Sequence, residues 1–211
     1  MLQLLKRTMD NRPLNVRNEY QQLSQETLKI LQRNLSMNCD ILLFNIRTDG
    51  NLGMIVRTAC LMGCHSVIIC GRKHYDKRFT VGSDNYIPVH FWESPLKVTI
   101  TCKKGLHYGS ERYQETLEYF PEEFVRCCEN RTPVFLEQGG TDIREVSWKL
   151  VENPLVILGN ESIGIPSNFI QSVKKLKPET ITVSIPQWSV MRSLNVSIAC
   201  SLILWEIRNQ K

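Results

Sequence analysis

The fold is decided by Ser184-Ile-Pro-Gln-Trp-Ser-Val-Met-Arg-Ser-Leu-Asn-Val-Ser-Ile-Ala199, near the end of a 211-residue chain. Just upstream, Ile181-Thr-Val-Ser-Ile185 sets β-branched and apolar residues at alternate positions and reads as a short strand. Pro186 closes it, because proline has no N–H to give to a ladder. From Ser193 to Ile207 the period becomes helical. Leu194, Ile198, Leu202 and Trp205 recur at steps of three and four and are expected to share one buried face. Ser193 is the expected N-cap. Small polar residues crowd the helix start: Ser189, Ser193, Asn195 and Ser197. Such a strand–loop–helix passage is either a small-ligand or anion site, where unpaired N–H groups point outward, or a well-capped helix after a loop.

Two further stretches have the same character. Leu155-Val-Ile-Leu-Gly-Asn-Glu-Ser-Ile-Gly-Ile-Pro166 is a buried strand that ends at Gly159 and runs into Asn160-Glu161 and a second glycine. Asn45-Ile-Arg-Thr-Asp-Gly-Asn-Leu-Gly-Met-Ile-Val-Arg-Thr-Ala59 is a strand end, a glycine-rich turn and a helix start. In order along the chain, these stretches resemble the three motifs of the SpoU/TrmH family of RNA ribose methyltransferases, in the SPOUT superfamily. The first matches as Asn51, Gly53 and Arg57. The second matches as Gly-Asn-Glu-x-x-Gly-Ile, 159 to 165. The third matches as Ile185-Pro186 followed by Ser193-Leu-Asn-Val-Ser197. The spelling from Leu158 to Asn168, with Ile185-Pro-Gln187, Met191 to Val196 and Ile203-Leu-Trp-Glu206, looks most like the catalytic domain of eukaryotic tRNA guanosine-18 2′-O-methyltransferases. Two positions depart from the pattern. Ser162 stands where glycine is usual, and Gln187-Trp-Ser189 stands where a glycine is common.

The resemblance implies an α/β domain, a mainly parallel sheet flanked by helices, with its C-terminal part threaded into a trefoil knot. It implies S-adenosyl-L-methionine as cofactor, contacted by Gly159, Ile185 and Leu194. It implies methyl transfer to a ribose 2′-hydroxyl, with Arg57 central and Asn51, Glu161, Ser193 and Asn195 beside it. It also implies a homodimer with the last helix in the interface. No metal is expected, because the cysteines and histidines lack ligand spacing. The RNA expected by this likeness is tRNA. Ribosomal RNA, or RNA binding without catalysis, are the alternatives. Arginine stays protonated, with a pKa above about 12, so Arg57 is expected to grip phosphate and steady alkoxide charge; a role as proton acceptor stays open. The residues alone leave plainer readings: Asn51 suits a turn, Glu161 a helix start, and Ser193 and Asn195 a cap.

Composition is that of a globular protein: 42% hydrophobic and 22% charged, with net charge +5. No apolar run approaches the ~18 residues of a membrane helix, and no secretory leader is read at the N-terminus. Eight cysteines form no Cys-x-x-Cys pair and show no ligand spacing with the four histidines. They fit buried, reduced thiols in an intracellular protein; a cytoplasmic location is expected, with nucleus and mitochondrion as the alternatives. Basic residues cluster at Arg72, Lys73, Lys77 and Arg78, candidates for RNA contact or a solvated face, and again at Lys103-Lys104 and Lys174, Lys175 and Lys177. No Gly-x-Gly-x-x-Gly, Walker A or Gly-x-Ser-x-Gly sequence is present, so dinucleotide, P-loop and serine-hydrolase readings lack their motifs.

Residues 1–38 read as a basic N-terminal helical extension and 39–211 as the domain. In the extension, Leu23, Leu28, Leu31 and Leu35 make one apolar stripe after Pro13. In the domain, strands are expected at Asp40 to Ile46, Ser66 to Cys70, Tyr86 to Trp92, Val98 to Cys102, Pro133 to Glu137 and Pro154 to Leu158. Helices are expected from Leu52 to Met62, from Glu111 to Asn130 around Pro121, and over 167 to 174. Gln138-Gly-Gly140 reads as a turn. The β-α-β unit at the start makes its two strands parallel.

Overall fold

A computed structural model describes residues 15–93, 96–101, 112–117 and 122–211. In chain order the elements are α1 (Gln25–Asn34), β1 (Asp40–Phe44), α2 (Asp49–Met62), β2 (Ser66–Cys70), α3 (Lys77–Thr80), β3 (Val89–Trp92), β4 (Leu96–Thr101), β5 (Arg112–Leu117), α4 (Glu122–Cys128), β6 (Thr132–Asp142), β7 (Pro154–Leu158), α5 (Ser167–Leu176), β8 (Ile181–Ser184) and α6 (Val196–Gln210). Six strands form one sheet in the order β3-β2-β1-β7-β6-β8. Every neighbouring pair in it is parallel. β4 and β5 form a separate antiparallel pair.

β1, β2 and β7 are buried at all five positions, because helices cover both faces of the sheet. Alternate side chains of β1 serve opposite layers. Ile41 and Leu43 pack with Leu52, Ile55, Val56 and Ala59 of α2 and Cys200, Ile203, Leu204 and Ile207 of α6. Leu42 and Phe44 pack with Phe124 of α4 and Phe169 and Val173 of α5. The result is a three-layer α/β/α arrangement. α2 stops at Gly63, whose φ of 78° makes it a left-handed C-cap. The N-terminal helix docks on this body: Leu28 is buried and Gln32 Nε2 donates to the Cys60 carbonyl at 2.8 Å. The seven described cysteines are buried and unpaired. No described helix is long and apolar enough to cross a membrane.

Four expectations are corrected. The stretch from Glu111 to Asn130 is not one helix: Arg112–Leu117 pairs as β5 with β4, and among the described residues of the stretch the helix is Glu122–Cys128. Gln138-Gly-Gly140 is not a turn but lies inside β6, where the pairing with β8 shifts register between Leu136 and Thr141. A Cβ on Gly140 would stand 2.6 Å from the Val183 backbone, so glycine serves close strand approach there. α6 begins at Val196 with Asn195 as N-cap, not Ser193. The apolar face predicted to be buried on that helix is its exposed one: Ile198, Leu202 and Trp205 are 46%, 41% and 60% exposed. Val196, Cys200, Ile203, Leu204 and Ile207 face the core instead. Lys103-Lys104, Cys102, Pro13 and Pro121 lie outside the described residues.

Candidate active site

The carboxyl ends of β7, β6 and β8, three neighbours in the sheet, open into a cavity of about 410 Å³. This is where ligands collect on open parallel sheets, because the loops there diverge. Of the residues the sequence singles out, Gly159, Glu161, Ile185, Ser193, Leu194 and Asn195 line it. They arrive from the loop after β7 and from the segment between β8 and α6.

A hydrogen-bonded chain ties the three motifs together. Asn51, buried in the first turn of α2, donates from Nδ2 to Glu161 Oε1 at 3.0 Å. Its Oδ1 accepts from Asn195 Nδ2 at 3.1 Å. Asn195 Oδ1 in turn accepts from the Ser197 amide at 2.9 Å, capping α6. Glu161 also accepts from the amides of Arg47 (2.8 Å) and Thr48 (3.3 Å), just ahead of α2. Thr48 offers α2 no side-chain cap, so the carboxylate from a distant loop serves the positive end of the helix. Burial acts to raise the pKa of Glu161, but the bonds from the Arg47 amide, the Asn51 side chain and the Thr48 amide outweigh it, and the net shift is downward. The carboxylate is therefore held ionised.

Glycines fix the loop after β7. A Cβ on Gly159 would lie 2.4 Å from the Gly164 carbonyl carbon, so no side chain fits. Asn160 and Gly164 exchange backbone hydrogen bonds at 3.1 and 2.8 Å, and Gly164 has a φ of 69°. Ser162, the departure from the pattern, does not open this loop: its amide donates to Asn160 Oδ1 at 2.9 Å and its hydroxyl accepts from Arg47 Nη1 at 3.3 Å. Gly53 has its own reason. A Cβ there would meet the Asp76 carbonyl at 2.5 Å, so this glycine lets the segment before α3 lie against α2.

Arg57 is not brought to the cavity. It follows Asn51 by six residues, about 9 Å along a helix and onto another side. It is exposed and lines a separate cleft with Cys60, Leu61 and Arg208. Among the described residues, no hydrogen bond or ion pair of Arg57 is found, and it shares its face of α2 with the exposed Met54 and Leu61. The basic cluster is largely neutralised. Arg72 and His74 pair with Asp49, Arg78 with Asp76 at 2.7 Å, and Lys77 with Asp84 at 3.8 Å. Lys73 is the cation of that cluster for which no ion pair is found among the described residues.

Two polar lining residues, Glu137 and Gln138, escaped the sequence reading as site residues. Glu137, at the carboxyl end of the apolar part of β6, accepts from the Ile165 amide at 2.9 Å. Gln138 donates from Nε2 to the Arg192 carbonyl at 2.6 Å, holding the segment that carries Ser193 and Leu194. The available signal was their place after an apolar strand of a parallel sheet. Trp188 stands 84% exposed in the same segment, with the Arg144 guanidinium 5.7 Å from its ring centre.

A model described as the SpoU rRNA Methylase family matches residues 38–205. The chain belongs to this family. Over 111 residues it is 30% identical to the mouse (Mus musculus) tRNA (guanosine(18)-2'-O)-methyltransferase TARBP1, covering 50% of this chain and 7% of that protein. Over 187 residues it is 24% identical to the tRNA (guanosine(18)-2'-O)-methyltransferase of Aquifex aeolicus, covering 88% of this chain and 74% of that protein. Among solved structures, the A. aeolicus TrmH/SpoU tRNA modifying enzyme superposes with a TM-score of 0.65 at 18% identity, over 88% of this chain and 81% of that one. The AdoMet-bound rRNA methyltransferase of Sinorhizobium meliloti superposes with a TM-score of 0.59 at 23% identity, over 84% and 59%. These superpositions show that the SpoU-type α/β fold is shared.

Proposed function

We propose that this SpoU-family chain transfers the methyl group of S-adenosylmethionine to a ribose 2′-hydroxyl of RNA, with a tRNA of the guanosine-18 type as substrate. One observation carries the reading: the chain Glu161–Asn51–Asn195 that draws the three motifs together beside a cavity at the strand ends. The names of the two curated relatives favour tRNA. Ribosomal RNA is the second reading, favoured by the family description and the S. meliloti structure.

The cavity suits the cofactor. Its volume of about 410 Å³ falls within the ~300–1,000 Å³ of small-molecule sites. Gly159 lets the lining loop close on Gly164 and Ile165, where any Cβ would clash, while Ile185 and Leu194 supply apolar walls for an aromatic base. When bound, the cofactor supplies an already activated sulfonium methyl. The protein's share is positioning and charge. Asn51 and Asn195 hold the start of α6 against the start of α2, and Glu161 locks the cavity loop to the same point. Arg57 grips the phosphate beside the target ribose and stabilises the charge that develops on the oxygen as its proton passes to solvent.

Arg57 and the cavity belong to different parts of one chain, and a dimer reconciles them. Ile198, Leu202 and Trp205 recur on one exposed face of α6, and Met54 and Leu61 flank Arg57 on α2. A helix apolar on both sides is covered on both sides. We infer a homodimer through this face in which Arg57 of one copy serves the cavity of the other. The test of function is incubation of total RNA with methyl-labelled cofactor, followed by digestion and nucleoside mapping. Label in a 2′-O-methylated nucleoside is expected; label only in bases, or none, sinks the reading. Mixing Arg57→Ala and Gly159→Ala chains tests the composite site, with recovered activity expected in the mixed dimers.

A further inference from the structure

We infer that the cleft between the N-terminal segment and α2 is a groove for the RNA phosphate backbone, distinct from the cofactor cavity. The inference rests on the proposed action on RNA and adds where the strand is held. The cleft has a volume of about 440 Å³, and its walls include Arg17, Tyr20, Arg57, Ser83, Tyr86 and Arg208. Among the described residues, no aspartate or glutamate lines it. That sets it apart from the Arg72–Arg78 loop, whose cations are mostly paired with Asp49, Asp76 and Asp84. Here compensation is slight. Arg17 reaches Glu19 only at 3.9 Å with both side chains exposed, and Arg208 donates to the Leu35 carbonyl at 3.4 Å. Exposed pairs of that length contribute little.

The groove is built, not incidental. Asn15 Nδ2 donates to the Val81 carbonyl at 3.0 Å, tying the N-terminal segment across to the turn after α3. Gln32 Nε2 donates to the Cys60 carbonyl at 2.8 Å and closes the other side. Guanidinium forks match phosphate oxygens two at a time, and tyrosine rings beside them accept bases without regard to sequence. Arg57 is shared between this groove and the proposed chemistry, so a nucleotide held here is a close neighbour of the one reacting in the cavity of the other copy.

The test measures affinity for a labelled tRNA by fluorescence anisotropy over a salt series, and affinity for S-adenosylmethionine by calorimetry. Arg17→Glu/Arg208→Glu is compared with Lys174→Glu/Lys175→Glu, the same charge change on exposed α5. The groove pair is expected to weaken RNA binding about ten-fold or more and to lower the slope of log affinity against log salt by about 1.4–1.8, two phosphate contacts' worth. The α5 pair should do neither, and both should bind the cofactor like wild type. If the groove pair acts no more strongly than the α5 pair, the groove is overturned. Methyl transfer by the wild type alongside that result leaves the enzymatic reading standing. Groove-dependent binding without methyl transfer does the reverse, and a wild type that binds no RNA overturns both.

Discussion

Asn51→Ala removes the middle of the chain that joins the three motifs. The bond to the Glu161 carboxylate, 3.0 Å long, has a charged acceptor. Such bonds contribute about 1.5–3 kcal/mol, and the half-buried position of Glu161 puts this one near 1.5. The bond from Asn195, 3.1 Å long, is between neutral amides with an exposed donor residue, and contributes roughly 0.5 kcal/mol. Alanine gains back about 0.5 kcal/mol as the better helix former at the third position of α2. The net loss is therefore about 1.5 kcal/mol. With a urea slope of about 2.5 kcal/mol/M, the midpoint should fall by about 0.6 M. A double-mutant cycle with Glu161→Gln should show coupling of about 1 kcal/mol. A midpoint shift below about 0.2 M, or strict additivity with Glu161→Gln, would refute the chain as an energetic unit.

Other outcomes follow from the same geometry. Glu161 titrates below its ordinary value of 4.5, so its contribution is fully present above that pH and is lost as pH falls through the lowered value. Urea midpoints from pH 6 to pH 3 should therefore fall less for Glu161→Gln than for wild type, and parallel curves would remove the carboxylate from the account. Gly159→Ala places a Cβ within 2.5 Å of the Gly164 and Ile165 atoms in its own loop; calorimetry should show cofactor affinity lost, and retained affinity would mean that the loop yields. Leu202→Glu/Trp205→Glu should convert a dimer to a monomer by light scattering, and a wild type already monomeric at micromolar concentration would remove the interface.

Much of this architecture is local and was legible. The β-α-β unit from Asp40 to Cys70 is written in five-residue apolar strands and a helix closed by Gly63. What was not legible depends on partners far along the chain. β5 owes its extended form to β4, so Glu111–Asn130 looked helical when read alone. Gly140 resembles a turn residue until β8 is laid against it. α6 carries two apolar stripes, and periodicity cannot say which one meets the core. The Arg72–Arg78 cluster looked strongly basic because Asp49, more than twenty residues earlier, folds back onto Arg72 and His74. Asn51, Glu161 and Asn195 could be named as candidates, but their mutual bonds join residues 110 and 144 positions apart and only the fold displays them.

Arg57→Ala separates holding the cofactor from doing chemistry. Cofactor affinity by calorimetry and methyl transfer to RNA from labelled S-adenosylmethionine are measured on the same preparation. With the cavity built at 158–164 and 184–195, affinity should stay within a few-fold of wild type. Transfer should fall by at least the ~10²-fold of losing one donor to the transition state. Transfer near the wild-type rate would contradict the assignment of Arg57 to the reacting oxygen.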